Sequence, residues 1–363
     1  DGIRDLVRSR GLGDVYKRQV NSATSGLYMA IGALGIGYGD EVIVSPYTMT
    51  ACAMAPMIYG AIPVFADVDN MGSLDPKSIK SLVSKRTKAI LVVHQFGIPA
   101  QMDEIMKIAN EHNIKVIEDC AQAHGAKYKG QYVGTIGDIG VFSMNVNKTI
   151  QSGEGGVCTT NDKDLHYRLA LIRNHGEAVV ESAGYEDITN IAGFNYRMTE
   201  LQAAVCRVQL SKLHNLNDER LKLVRQLNDG LRGYDFLEVP DEKQYCESTY
   251  YVYPLKFLPK IAGVKREQFV EAVNAEGINF YQGYTKPLYL QPLYQKKVLF
   301  KHGYPFSAVE NKSCTMEYDK GTCPNAEKLH FEQMIINEHI RPPNTKADMM
   351  DIVKAVKKVC SNL

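Results

Sequence analysis

Three short segments carry residues whose types and spacing suit chemistry. In FSMNVNKTIQSGEGG a lysine, Lys148, stands five residues after Ser143 and just ahead of the glycines at 153, 155 and 156. A lysine that follows a buried strand and precedes glycines allowing close backbone approach is poorly explained as a solvated charge. In IEDCAQAHGA a carboxylate, Asp119, ends an apolar run. Ligands of open α/β sheets sit at the carboxyl ends of strands, although a capping aspartate explains Asp119 equally well when taken alone. Gln122 and His124 follow on the same loop, either as ligand contacts or as loop hydrogen bonders. In SATSG, residues 22–26, small side chains lead into a helix. The free N–H groups and dipole of a helix start favour an anion, and an ordinary Ser/Thr cap is the simpler account of that segment by itself. Taken together, a phosphate cradle, a carboxylate for a ring nitrogen and a Schiff-base lysine are the parts that pyridoxal 5'-phosphate (PLP) requires.

Such groups need a scaffold that brings strand ends together. From Val20 onward, short Val/Ile-rich runs alternate with longer amphipathic stretches, the pattern of a mostly parallel α/β sheet flanked by helices. The expected strands are 41–45, 62–66, 89–93, 115–119 and 139–143, with helices near 24–34, 48–59, 76–83 and 102–112. The run QMDEIMKIANEHNIKVIED has helical spacing, an asparagine-containing stop and then a strand, one βαβ half-unit. The GIGYG run at 35–39 lies after a helix and before a strand, the wrong order for a dinucleotide fingerprint, and is expected as a turn. A long helical segment follows Met198, and around Gly233 the alternation becomes mixed. The expected organisation is a large α/β domain over 20–232 and a smaller C-terminal α+β domain over 233–363. Residues 1–19 (DGIRDLVRSRGLGDVYKRQ) are basic and poorly periodic, resemble adapter-derived sequence, and are expected to be non-native or disordered.

Composition narrows the partners. The 363 residues carry 42 Lys and Arg against 41 Asp and Glu, a net charge of +1, so no global field draws the chain to nucleic acid or to an anionic membrane. No apolar stretch reaches about 18 residues, and no secretory leader is visible. The eight cysteines lack the close pairs that structural metal sites need, and Cys314 to Cys323 reads as a surface loop; no metal is expected. Free cysteines of this kind point to the cytoplasm.

In order, NSATSGL, GDEVIVSPYT, PVFADVD, IEDCAQAHGA, the Lys148 segment with SGEGG, and GFNYRMTELQAA resemble the DegT/StrS family of PLP-dependent sugar aminotransferases, over most of 20–363. The resemblance implies the PLP-dependent transferase fold type I, a homodimer with shared active sites, L-glutamate as donor, and a keto-sugar acceptor that is expected to be nucleotide-linked. It implies that Lys148 holds the cofactor as a Schiff base and that Asp119 keeps the pyridine nitrogen protonated. Gln122 would contact the ring's phenolic oxygen. Thr24, Ser25 and Ser143 would bind the phosphate, and Asn195 would reach it from the neighbouring subunit, with Arg197 in a structural role. Met49 stands where many members set an aromatic ring over the cofactor, and a thioether can pack on a π face. Tyr289 stands where a histidine is common, and the helical segment that usually precedes the first phosphate-binding residues is replaced by residues 1–19.

The tyrosine-dense 281–294 segment would contact a sugar or base, or pack the core of the small domain. Rival readings are a sugar dehydratase of the same fold, disfavoured because Lys148 is present and a cysteine cluster is not, and a PLP-binding regulator without turnover. A cyclitol ketone is the alternative acceptor.

Overall fold

A computed structural model describes residues 16–176, 191–241, 244–314 and 316–363. A seven-stranded sheet is its centre. In chain order the elements are β1 (Tyr16–Val20), α1 (Ala23–Ala33), β2 (Glu41–Val44), α2 (Ala51–Ile58), β3 (Ile62–Phe65), α3 (Pro76–Leu82), β4 (Thr87–Val93), α4 (Met102–His112) and β5 (Lys115–Asp119). They are followed by the short β6 (Lys127–Tyr128) and β7 (Gln131–Tyr132), then β8 (Ile139–Ser143), β9 (Gly156–Thr160) and α5 (Lys163–Arg173). The order across the sheet is β1-β9-β8-β5-β4-β2-β3. Strands β8, β5, β4, β2 and β3 run parallel, and β9 is antiparallel to both β8 and β1.

The parallel strands read as unbroken apolar runs because helices cover both faces, and Val42, Ile43, Val44, Ile90, Leu91 and Ile117 are all fully buried. Each expected strand is present to within two residues. Helix α4 ends on Asn113 in the left-handed conformation (φ 54°), the stop that the sequence signals. The 35–39 run is a turn between α1 and β2, with Gly35 and Gly39 at positive φ. Helix α2 starts at Ala51 rather than at 48, since Tyr47 to Thr50 form the approach to its N-terminus.

The expectation that residues 1–19 stand apart from the fold is corrected at its C-terminal end. Tyr16–Val20 pairs along its whole length with Gly156–Thr160, and Lys17 is buried. Backbone pairing needs no apolar pattern, so a basic stretch can close the edge of the sheet. Residues 1–15 lie outside the described residues.

After α6 (Glu200–Ser211) and α7 (Leu213–Leu231) come β10 (Leu237–Glu238), β11 (Cys246–Glu247), β12 (Tyr253–Phe257), α8 (Arg266–Ala275), β13 (Tyr281–Gln282), β14 (Met334–Asn337) and α9 (Lys346–Cys360). Strands β10-β12-β14-β13 form an antiparallel sheet, while β11 joins β6 and β7. Leu223, Val224, Leu227 and Leu231 of α7 share a core with Leu255, Phe257, Phe269 and Ile352. The amphipathic face of α7 therefore packs on the C-terminal sheet, although the helix ends just ahead of the boundary expected at 232/233.

Candidate active site

Helix α1 begins on Ser22, which is extended (φ −165°, ψ 159°) and accepts a hydrogen bond from Ser25 N at 3.2 Å. Thr24 is exposed in the first turn, and buried Ser25 donates to Ser22 O at 2.9 Å. Two glycines fix where this helix start sits. A Cβ on Gly26 would lie 2.8 Å from Val141 Cγ1, and one on Gly156 would lie 2.9 Å from Ala23 N. Only glycine lets α1 pack this closely on β8 and β9. Ser143 pairs with Gly156 across β8 and β9, so the Ser143 side chain enters at the same helix start.

Asp119 ends β5 and is buried. Its Oδ1 accepts from Ala121 N at 3.0 Å and its Oδ2 from the Cys52 thiol at 3.1 Å. Burial, reinforced by the Asp119 charge, pushes the Cys52 thiol far up, so it stays protonated and donates. Beneath the strand end, Glu118 is fully buried and saturated. It accepts from His94 Nε2 (3.0 Å), Gly134 N (2.8 Å), Ile136 N (2.8 Å) and Gly137 N (2.7 Å). His94 Nδ1 accepts from Ala100 N at 3.1 Å. His94, Glu118 and Cys120 place ligand-type atoms within 4.8 Å of one another, but these hydrogen bonds make the His94–Glu118 pair a strut behind Asp119 rather than a metal centre.

Lys148 lies on the loop after β8, and its Nζ sits over the Tyr251 ring, 4.5 Å from the centroid. Among the described residues this amine has no carboxylate or hydroxyl partner. Burial holds it below the ordinary lysine value of 10.5 and outweighs the opposing attraction of Asp119. Gln122 is buried, accepting from Phe96 N at 2.7 Å and donating to Tyr284 OH at 2.9 Å. The Tyr284 ring meets Phe96 and Tyr47 edge-on.

His124 Nε2 donates to Ser143 O at 2.7 Å, and burial lowers its pKa from 6.5 to about 4. The folded chain therefore holds His124 neutral while the unfolded chain protonates it below pH 6.5. Stability contributed by the neutral ring is fully present above pH 6.5 and is lost as pH falls toward 4, by up to about 3 kcal/mol. Unfolding free energies measured from pH 4 to 8 are expected to decline over that window in the wild type and to decline less in His124→Gln. Equal slopes would remove His124 as the cause.

Of the residues singled out in the sequence, the structure brings Asp119, Gln122, Ser143 and Lys148 to one end of the parallel sheet, with Thr24 and Ser25 on the adjoining helix start. Met49 is 55% exposed ahead of α2. Asn195 is exposed and bridges to Asn174 in the same chain, and its neighbour Tyr196 accepts from Asn21 N at 2.8 Å. Arg197 donates to Asn174 Oδ1. Tyr289 and Tyr294 are core residues against Phe65, with Tyr289 bonded to Glu327, whereas Tyr281 is exposed. Cys314 and Cys323 are free thiols, the latter buried. Sequence reasoning missed Cys52 as the partner of Asp119, Tyr251 beneath Lys148, and Tyr284 beyond Gln122. The tyrosine density of 281–294 was the one available signal.

The donor set suits PLP on its own chemistry. An unpartnered amine of lowered basicity faces an aldehyde, a carboxylate at a strand end faces a ring nitrogen, and hydroxyls at a helix start face a phosphate. The fold is that of the fold type I PLP-dependent aminotransferases. The sequence profile described as the DegT/DnrJ/EryC1/StrS aminotransferase family matches residues 11–357. The chain belongs to that family. It is 35% identical over 285 residues to a GDP-perosamine synthase of Escherichia coli O157:H7, covering 77% of this chain and 76% of that one. It is 33% identical over 341 residues to the dTDP-3-amino-3,4,6-trideoxy-alpha-D-glucose transaminase of Streptomyces venezuelae, covering 93% and 81%. The solved structure of an aminotransferase from Psychrobacter cryohalolentis superposes with a TM-score of 0.83 at 31% identity, covering 99% of this chain and 89% of that one.

Proposed function

We propose that this aminotransferase moves an amino group from L-glutamate to the ketone of a nucleotide-linked sugar, using PLP held covalently on Lys148. The observation that carries the reading is the half-buried Lys148 amine, which lies over the Tyr251 ring near Asp119 with no carboxylate bonded to it among the described residues, in a family whose members are aminotransferases. The relatives named for sugar amination support the acceptor class. Bound PLP supplies an electron sink for the C–H bond that breaks beside the transferred nitrogen. Asp119 keeps the ring nitrogen protonated. Lys148 would hold the cofactor and its amine would move the proton at the donor carbon. Thr24, Ser25 and Ser143 would hold the phosphate, with Ser22 capping the same helix start. Amino-sugar formation for a cell-surface polysaccharide or an antibiotic sugar is the corresponding role. Cys52, Cys120, Cys158, Cys206, Cys314, Cys323 and Cys360 are free thiols, which suits the reducing cytoplasm, and no helix among the described residues is long and apolar enough to cross a membrane.

The test is to convert the cofactor to its amine form with L-glutamate and then offer keto-sugar nucleotides and inososes. Return of the aldehyde form with a keto-sugar nucleotide is expected. Return with an inosose alone would make a cyclitol ketone the acceptor, and no amine form from any amino donor would refute aminotransfer.

The active sites belong to a homodimer in this reading. Helix α6 exposes Leu201, Val205 and Val208 at i, i+4 and i+7, with Leu201 82% exposed, and Val146 beside Lys148 is exposed too. Such a stripe suits a second copy of the chain across a two-fold axis. Mixing inactive Lys148→Ala with an inactive Asn195→Ala variant is expected to restore activity, because one of the two sites in a heterodimer would be intact. No recovery under conditions in which subunits exchange would mean that Asn195 serves its own chain's site.

A further inference from the structure

Arginines 220 and 266 are both 4% exposed, and the fold treats them differently. Arg266 is bonded at both terminal nitrogens, Nη1 donating to His330 O and Met334 O and Nη2 to Glu267 Oε1 and Phe331 O, although its Nε, like that of Arg220, has no partner. Among the described residues Arg220, on α7, makes a single hydrogen bond, from Nη1 to Thr149 Oγ1 at 2.7 Å, and its buried Nε has no partner. No carboxylate among the described residues pairs with it. Burial and the nearby Arg341 charge lower its pKa to about 10, so at neutral pH it is still a cation. Buried charges in proteins are normally paired, and a guanidinium fork matches a carboxylate through two parallel hydrogen bonds.

The position of this unpaired charge gives it a use. Thr149 directly follows Lys148, so the guanidinium is tied one residue from the reactive amine. The Tyr251 ring that lies under Lys148 Nζ also feels the charges of Glu338, Arg341 and Arg220, and His124 feels both Lys148 and Arg220. A cation that no carboxylate among the described residues pairs with therefore lies near the lysine and the Tyr251 ring, available to an anionic group on a molecule whose amine is delivered to that lysine.

We propose that Arg220 binds a carboxylate of the amino donor, with Thr149 Oγ1 orienting the guanidinium through Nη1. This assignment rests on the aminotransferase reading and adds a residue that selects the donor. The donor class is an amino acid, since a neutral amine would leave the buried charge unmatched.

The experiment measures calorimetric binding of glutarate, a five-carbon dicarboxylate without an amine, to the PLP-loaded protein. The variants are Arg220→Met and Arg220→Lys, with the thermal midpoint and cofactor absorbance of each as controls. Glutarate is expected to bind the wild type, more than tenfold more weakly to Arg220→Met, and with intermediate affinity to Arg220→Lys. The KM for L-glutamate is expected to rise in the same order. Should Arg220→Met fail to fold, Arg220→Lys decides, because it keeps the charge and loses the fork. Wild-type affinity for glutarate in the folded variants, or no binding of glutarate to the wild type, would overturn the assignment. If the variants bind as the wild type does while the wild type still takes the amine of L-glutamate, the Arg220 site fails and the aminotransferase reading stands. If glutarate binding depends on Arg220 but no amine is taken from L-glutamate, the carboxylate site stands and glutamate is not the donor.

Discussion

Replacing Lys148 with alanine is expected to abolish amino transfer, a fall of roughly 10⁴-fold or more, because the anchor and the proton carrier are lost together. The visible band that marks covalent attachment of PLP to lysine is expected to vanish with it. Several other lysines are engaged elsewhere: Lys115, Lys127, Lys129 and Lys256 each pair with a carboxylate. Such pairing occupies an amine, whereas burial lowers the basicity of Lys148 and no carboxylate among the described residues bonds it. A free amine is the form that attacks an aldehyde, so attachment of PLP in the wild type is expected to proceed at pH values below the ordinary lysine value of 10.5. Absorbance spectra and a single turnover with L-glutamate check both statements. A retained visible band in the alanine variant would move the anchor to another lysine.

What the sequence disclosed follows from how each element is held. Strands β2 to β5 and β8 are covered on both faces, so their side chains are almost all apolar and announce themselves. Strand β1 is an edge strand held by its backbone. YKRQV has no apolar alternation, and nothing in its composition signals that Lys17 is buried against β9. Asp119 and Lys148 were legible because a charge at the end of an apolar run is costly unless it has work to do. Their surroundings were not legible. Cys52 reaches Asp119 across 67 positions, and Tyr284 reaches Gln122 across 162. Contacts at such separation leave no local pattern. Arg220 in LHNLNDERLKLV looks like one more charge on an amphipathic helix, and only tertiary packing reveals that it points inward without an anion. Gly26 and Gly156 were visible as glycines, but their purpose, admitting α1 to the sheet, depends on a packing distance.

Asp119→Asn is expected to lower turnover by on the order of 10²–10³-fold while changing PLP affinity far less. The carboxylate accepts at both oxygens, with Oδ1 bonded to Ala121 N–H and Oδ2 to the Cys52 thiol. In the asparagine variant the side-chain oxygen can keep the Ala121 bond, and the amide nitrogen then faces Cys52 and the ring. An amide NH₂ donates and carries no charge, so it can neither accept from a protonated ring nitrogen nor hold that proton in place. Electron withdrawal weakens accordingly, and the C–H bond beside the transferred nitrogen breaks more slowly. Binding should suffer little, because the phosphate contacts at the α1 start and the covalent link through Lys148 do not involve Asp119. The strut formed by Glu118 and His94 is untouched as well, so the strand end should keep its shape. Single-turnover rates with L-glutamate, set beside a titration of PLP into the stripped protein, separate the two effects. A variant that lost affinity in proportion to rate would make Asp119 a binding residue, and one that lost neither would remove it from the chemistry.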